Sequence, residues 1–118
     1  MSLTVHTEQY GDLVVVSVAG ELDMATAPEL QDRVADLLDR GRSQIVFDLC
    51  RLSFCDSTGL SVFIRAKNLC EQAGGRVCLA AAQRAVLRVL EVSGLVELLE
   101  VYPTTTKAIA AGASPAAT

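Results

Sequence analysis

Leu3, Val5 and Thr7 alternate with Thr4, His6 and Glu8, the period of two that sets one face of a strand on the core and the other in water. His6 falls on the wet side. Gly11-Asp12 turns the chain into Leu13 to Ala19, a β-branched run suited to a central strand and ended by Gly20. Thr26-Ala27-Pro28-Glu29 has the form of a capping box with proline in the first helical turn, and Leu30, Val34, Leu37 and Leu38 follow at helical spacing as far as Gly41. Ile45 to Leu49 predicts a third strand. Asp56-Ser57-Thr58-Gly59 supplies capping residues for a helix running to about Ala73 and closed by Gly74-Gly75. Val77 to Ala80 reads as a fourth strand, Gln83 to Val92 as a helix stopped at Gly94, Val96 to Tyr102 as a fifth strand and Thr104 to Ala110 as a short last helix. One domain over 1–110 and a flexible tail over 111–118 complete the reading.

Helices between the later strands require right-handed parallel crossovers. The expectation is a small α/β domain, a mixed sheet of about five strands with the later ones parallel, and about four helices. Sites in such folds gather where strands end at their carboxyl side, which directs attention to the stretch after Leu49.

At 118 residues, 51% hydrophobic and 20% charged, the chain has the composition of one globular domain. Its longest nearly unbroken apolar run, Leu13 to Ala19, is far short of the ~20 residues that span a bilayer. The first residues lack the basic-then-apolar order of a secretory signal, so the expected location is the cytoplasm, without membrane insertion. A net charge of -4 argues against direct nucleic-acid binding. Residues 1–56 carry ten acids and four bases, and 57–118 four acids and six bases. That asymmetry suits steering toward a charged partner or is an unevenly solvated surface. Cys50, Cys55, Cys70 and Cys78 include no Cys-x-x-Cys pair and the single histidine is distant, so they read as buried free thiols without metal or other cofactor.

On a wheel of about 100° per residue with Ser57 at zero, Val62, Phe63, Ala66, Leu69, Cys70 and Ala73 fall between about 120° and 240°, the buried face. Ser57, Ser61, Ile64, Asn68 and Glu71 lie near the opposite pole and Leu60 about 60° from it. Two aliphatics beside a serine on the outer face suggest a partner surface that the hydroxyl controls, or a face covered by another element such as the terminal helix. Ser57 has two readings: an N-cap that bonds a backbone N-H and does nothing else, or a phosphorylation site.

The segments Gly20-Glu21-Leu22-Asp23, Thr26-Ala27-Pro28-Glu29-Leu30, Leu52 to Leu60 and Val92-Ser93-Gly94-Leu95 resemble the STAS domain, specifically the anti-sigma factor antagonists, over about Leu3 to Ala110. The resemblance implies a protein without catalysis of its own. Unphosphorylated, it would bind an anti-sigma factor that is also a serine kinase and so free a sigma factor. Phosphorylation of Ser57 would release it and a phosphatase would reset it. By the same resemblance Asp23 contacts the kinase, Met24, Ala25 and Thr26 line that surface, and Asp56, Leu60, Ser61 and Ile64 belong to it. Thr58 stands where a second serine is common and is an alternative acceptor. Ser61 and Phe63 depart from the glycine and smaller aliphatic usual in this helix.

An enzyme reading would need a base beside Ser57, and His6 is remote. Gly74-Gly75 lacks the lysine and glycine spacing of a phosphate loop. The rival function is a STAS module docking constitutively in a lipid-transport ATPase or signalling complex, which fold alone does not separate from the switch.

Overall fold

The computed structural model describes residues 2–113. Strands β1 (Leu3–Tyr10) and β2 (Leu13–Leu22) form a hairpin, followed by α1 (Ala27–Asp39), β3 (Gln44–Cys55), α2 (Ser57–Gln72), β4 (Arg76–Ala80), α3 (Arg84–Val92), α4 (Leu95–Leu98), β5 (Glu100–Tyr102) and α5 (Thr105–Ala113). The five strands lie in chain order in one sheet. β1 is antiparallel to β2, and each later pair is parallel. The α/β class, the mixed sheet and the parallel later strands are as the sequence predicts.

Alternation along the strands makes two layers of core. Val14, Val16, Val18, Ile45, Phe47, Leu49 and Leu79 turn toward α1, α2 and α3 and meet Leu30, Val34, Phe63, Ala66 and Leu90. Phe47 and Phe63 pack edge to face with ring centroids 5.1 Å apart, a favoured aromatic geometry. The opposite face is covered in part by α5, whose Ala108 packs with Val15, Val46, Cys78 and Ala80. Beyond that cover His6 is exposed, on the wet side as its parity requires.

Four boundaries differ from expectation. Gly20 does not end its strand: β2 continues to Leu22, and Gly20, at φ +106°, sits so close to the Ser2 carbonyl that no side chain would fit. It marks an irregularity in the β2/β3 register, a position where glycine serves a bulge. β3 runs on to Cys55. The expected fifth strand over Val96 to Tyr102 is reduced to Glu100–Tyr102. Gly94 adopts a left-handed conformation, φ +80° and ψ 4°, that ends α3 and reverses the chain. The Leu99 N-H then closes a helical turn on the Leu95 carbonyl at 2.8 Å, so there are five helices where about four were expected. α5 extends to Ala113, into the stretch read as a tail. Residues 114–118 of that stretch lie outside the described residues.

Cys55, Cys70 and Cys78 are buried, but Cys50 is exposed, because β3 passes the bulge there with its backbone N-H on Asp48 Oδ1 at 3.1 Å. Among the described residues no helix is long and apolar enough to cross a membrane.

Candidate functional site

The parallel pairing of β2 and β3 brings Leu22 opposite Cys55, so the two loops that follow them leave the same end of the sheet side by side. The Asp56 N-H donates to the Leu22 carbonyl at 3.2 Å and ties the second loop to the first strand. Sequence places Asp23 and Ser57 far apart. The register makes their loops neighbours.

In the first loop Asp23 is the organiser. Its Oδ1 accepts the N-H groups of Ala25 at 3.0 Å and Thr26 at 3.1 Å, and its carbonyl accepts the N-H of Ala27 at 2.8 Å. This is the short-range acceptance at which aspartate excels in turns. The expected capping box at Thr26 is not formed. Thr26 has helical backbone angles and no side-chain cap, since its single hydroxyl proton goes to the Glu21 carbonyl at 2.8 Å while its oxygen accepts the Asp23 N-H at 3.0 Å. Thr26 is 4% exposed, which removes it from the surface it was expected to line. Ala25 is exposed and Met24 is 76% exposed, leaving a large apolar side chain at the loop tip.

In the second loop Asp56 caps α2. Its backbone is extended and its Oδ1 accepts the Gly59 N-H at 3.0 Å, the N-cap to N3 bond. Ser57 is therefore the first helical residue and not the cap, which removes the reading that had it only capping. Its side chain is exposed and Thr58 is half-buried. The N-H groups at these first two positions have no intrahelical acceptor, and the helix dipole is positive there.

Gly59 lets the helix start close on the strand ends. A Cβ at this position would lie 2.7 Å from Cys55 Sγ and 2.8 Å from Leu22 Cγ. Cys55 itself has its thiol pushed up to about 12, by burial first and by Asp56 second, so it holds its proton and packs as a small apolar group.

Along α2 the outer face is partly closed. Leu60, expected on the surface, is 8% exposed and belongs to the core, and Ile64 is half-buried. The wheel measures direction from the helix axis and not what stands beside it. Leu60 packs into the core cluster, and Leu95 of the α4 turn packs against the same cluster. Leu95 joins Leu60, Ser61, Ile64 and Asn68 around a groove of about 520 Å³. The expected covering element, the terminal helix, packs on the other side of the sheet. Ser61 is exposed, and its hydroxyl donates back to the Ser57 carbonyl one turn earlier at 3.0 Å. Phe63 is fully buried, so its departure from the smaller aliphatic bears on the core and not on a partner. Leu95 was missed as a site residue because the stretch that follows it, from Val96, read as a strand and not as a helical turn. Gly94 was the available signal.

The candidate site thus brings together Asp23, Met24 and Ala25 on one loop, Asp56, Ser57 and Thr58 on the next, and a groove that begins at Leu60 and Ser61. His6 projects from β1 onto the sheet face away from α2, beside Thr4, Ser17 and Asp48. It is no base for Ser57. Among the described residues no cluster of three or more His, Cys, Asp or Glu could hold a metal ion.

The family model for the STAS domain matches residues 4–108. An anti-sigma-B factor antagonist of Staphylococcus aureus is 30% identical over 101 residues, covering 86% of this chain and 94% of its own. The crystal structure of an anti-sigma factor antagonist from Mycobacterium paratuberculosis superposes with a TM-score of 0.86 at 30% identity, covering 94% of each chain. The Bacillus cell fate determinant SpoIIAA in its phosphorylated form superposes with a TM-score of 0.70 at 25% identity, over 90% of this chain and 96% of the other. With the sheet order, the Leu22–Cys55 register and the Asp-Ser-Thr-Gly helix start all in place, the chain belongs to the STAS domain family and is related to its anti-sigma factor antagonists.

Proposed function

We propose that the protein is an anti-sigma factor antagonist of the cytoplasm that binds an anti-sigma factor with serine kinase activity while unphosphorylated, frees a sigma factor, and is switched off by phosphorylation of Ser57. The observation that carries this reading is the division of labour at the start of α2. Asp56 does the capping, so the exposed Ser57 hydroxyl is spared for modification. A phosphate there would add about 1.5–2 negative charges beside Asp56 and one helical turn from Ser61, which lines the groove. Charge repulsion and the cost of desolvating the phosphate would oppose docking of an apolar or acidic partner face. The helix start, with unpaired N-H groups, would tolerate the same group without unfolding. Asp23, Met24 and Ala25 would meet the kinase, Leu60 would support the docking face formed by Ser61 and Ile64, Thr58 is the alternative acceptor, and a phosphatase would restore the binding form.

The test is a paired capture from native lysate with wild type and Ser57→Asp, retained proteins being identified by mass spectrometry, followed by calorimetry on the purified partner. Capture of an ATPase-type anti-sigma kinase by wild type and its loss with Ser57→Asp, with Ser57→Ala still binding, is the expected result. Equal capture of one transport or signalling assembly by both baits overturns the switch and assigns a constitutively docked module.

A further inference from the structure

The sheet has two edges. One, β5, is three residues long and has α5 packed against it. The other, β1, offers eight residues. In an antiparallel hairpin, alternate residues turn their N-H and C=O groups toward opposite edges. Tyr10 pairs with Leu13 across a two-residue turn, and the Ser2 carbonyl accepts the Glu21 N-H at 3.2 Å. The even-numbered residues therefore bond to β2, and Leu3, Val5, Thr7 and Gln9 direct theirs to the open edge. A groove of about 320 Å³ lies beside Thr4 and His6 on one face, and on the other a groove of the same size separates Thr7 and Gln9 from Leu37 and Arg40 at the end of α1, while among the described strands β1 pairs with β2 alone.

An open edge of this length is a template for another strand, and the residues of β1 select which. Laid antiparallel on itself about a two-fold axis through Thr7, the strand places Thr7 opposite Thr7 and Val5 opposite Gln9 in hydrogen-bonded pairs. Between them His6 falls opposite Glu8, twice, in non-hydrogen-bonded pairs, where side chains approach closest. Both side chains are exposed on the same face. An imidazole donates an N-H to a carboxylate in either charge state. An axis moved by one residue sets His6 on His6 or Glu8 on Glu8, and like charges directly opposite destabilise a pair.

We propose that the protein forms a symmetric homodimer by antiparallel pairing of its β1 edges about Thr7, joining two five-stranded sheets into one. Thr7 faces Val16 in the β2 register, six residues and about 20 Å from Leu22. The dimer therefore leaves both Ser57 surfaces open and presents them in pairs.

Sedimentation velocity over a range of concentrations, with amide exchange followed by NMR, tests this on the full chain. A concentration-dependent dimer is expected, with the Val5, Thr7 and Gln9 amides gaining protection as it forms. Thr7→Pro removes an edge N-H without touching the bonds to β2, and yields a monomer with unchanged circular dichroism. His6→Glu sets carboxylates opposite one another and weakens the dimer by about tenfold or more, and adding Glu8→Lys restores it. Should Thr7→Pro misfold, the His6→Glu series decides by itself. A wild type that stays monomeric at millimolar concentration, or a dimer that withstands His6→Glu with those three amides exchanging freely, overturns the proposal.

Discussion

Gly59 lies against Leu22 so closely that a single added methyl would stand 2.8 Å from Leu22 Cγ. Since the Asp56 N-H also bonds the Leu22 carbonyl, the start of α2 is seated on the end of β2 by both side chain and backbone. The position of Ser57 is a consequence of that seat.

Gly59→Ala is expected to destabilise the protein by about 1–3 kcal/mol, because Leu22 and Cys55 are both buried and have little room to retreat. Urea unfolding checks the size. The same variant should weaken partner binding, since the helix start must lift away from the strand ends to admit the methyl.

Asp56→Ala and Ser57→Ala should separate capping from signalling. Loss of the Asp56 bond to the Gly59 N-H costs about 0.5–2 kcal/mol. Ser57 is exposed and caps nothing, so Ser57→Ala should stay within about 0.5 kcal/mol of wild type. Equal losses in the two variants would show that the serine hydroxyl also supports the helix start.

Leu60→Ala is expected to cost about 2–5 kcal/mol, as for other core leucines. A substitution such as Leu60→Glu therefore reports on folding before it reports on docking. Ser61 and Asn68, on the exposed rim of the groove, are the positions to alter. Ser61→Glu should keep the melting temperature within a few degrees of wild type and lower partner affinity, by calorimetry, at least tenfold.

Of the four cysteines, Cys50 alone should react with a thiol reagent in the native protein, and all four in guanidinium. Burial raises Cys70 and Cys78 to about 11 and Cys55 to about 12. The Cys50 thiol is raised as well, first by partial desolvation and then by Asp48. Because the thiolate is the reacting form, its labelling rate should climb as pH rises and reach half-maximum above the ordinary cysteine value of 9.0. A native count above one at neutral pH would contradict the packing of α2, β3 and β4, which bury Cys70, Cys55 and Cys78.

The sequence by itself determined the α/β class, the parallel later strands and the segment that carries the site. Alternation over Leu3 to Glu8, β-branched runs and glycine stops are local signals, and they need no knowledge of neighbours. It also placed Ser57 at a helix start, but the four consecutive capping candidates did not say which one caps. Only the folded backbone gives that task to Asp56.

The tertiary structure decided whatever depends on which element stands beside which. The β2/β3 register makes the Asp23 and Ser57 loops adjacent, and no periodicity within either segment encodes that pairing. Thr26 left the surface because its hydroxyl found the Glu21 carbonyl, a choice available only once β2 had run past Gly20. Leu60 left it because the first turn of α2 sits down on the core cluster, where Leu60 is 8% exposed, and the α4 turn, read from Val96 on as a strand, sets Leu95 across the groove from it. Helical phase fixes the direction in which a side chain points. Its burial is fixed by the element it meets there, and that contact belongs to the whole chain.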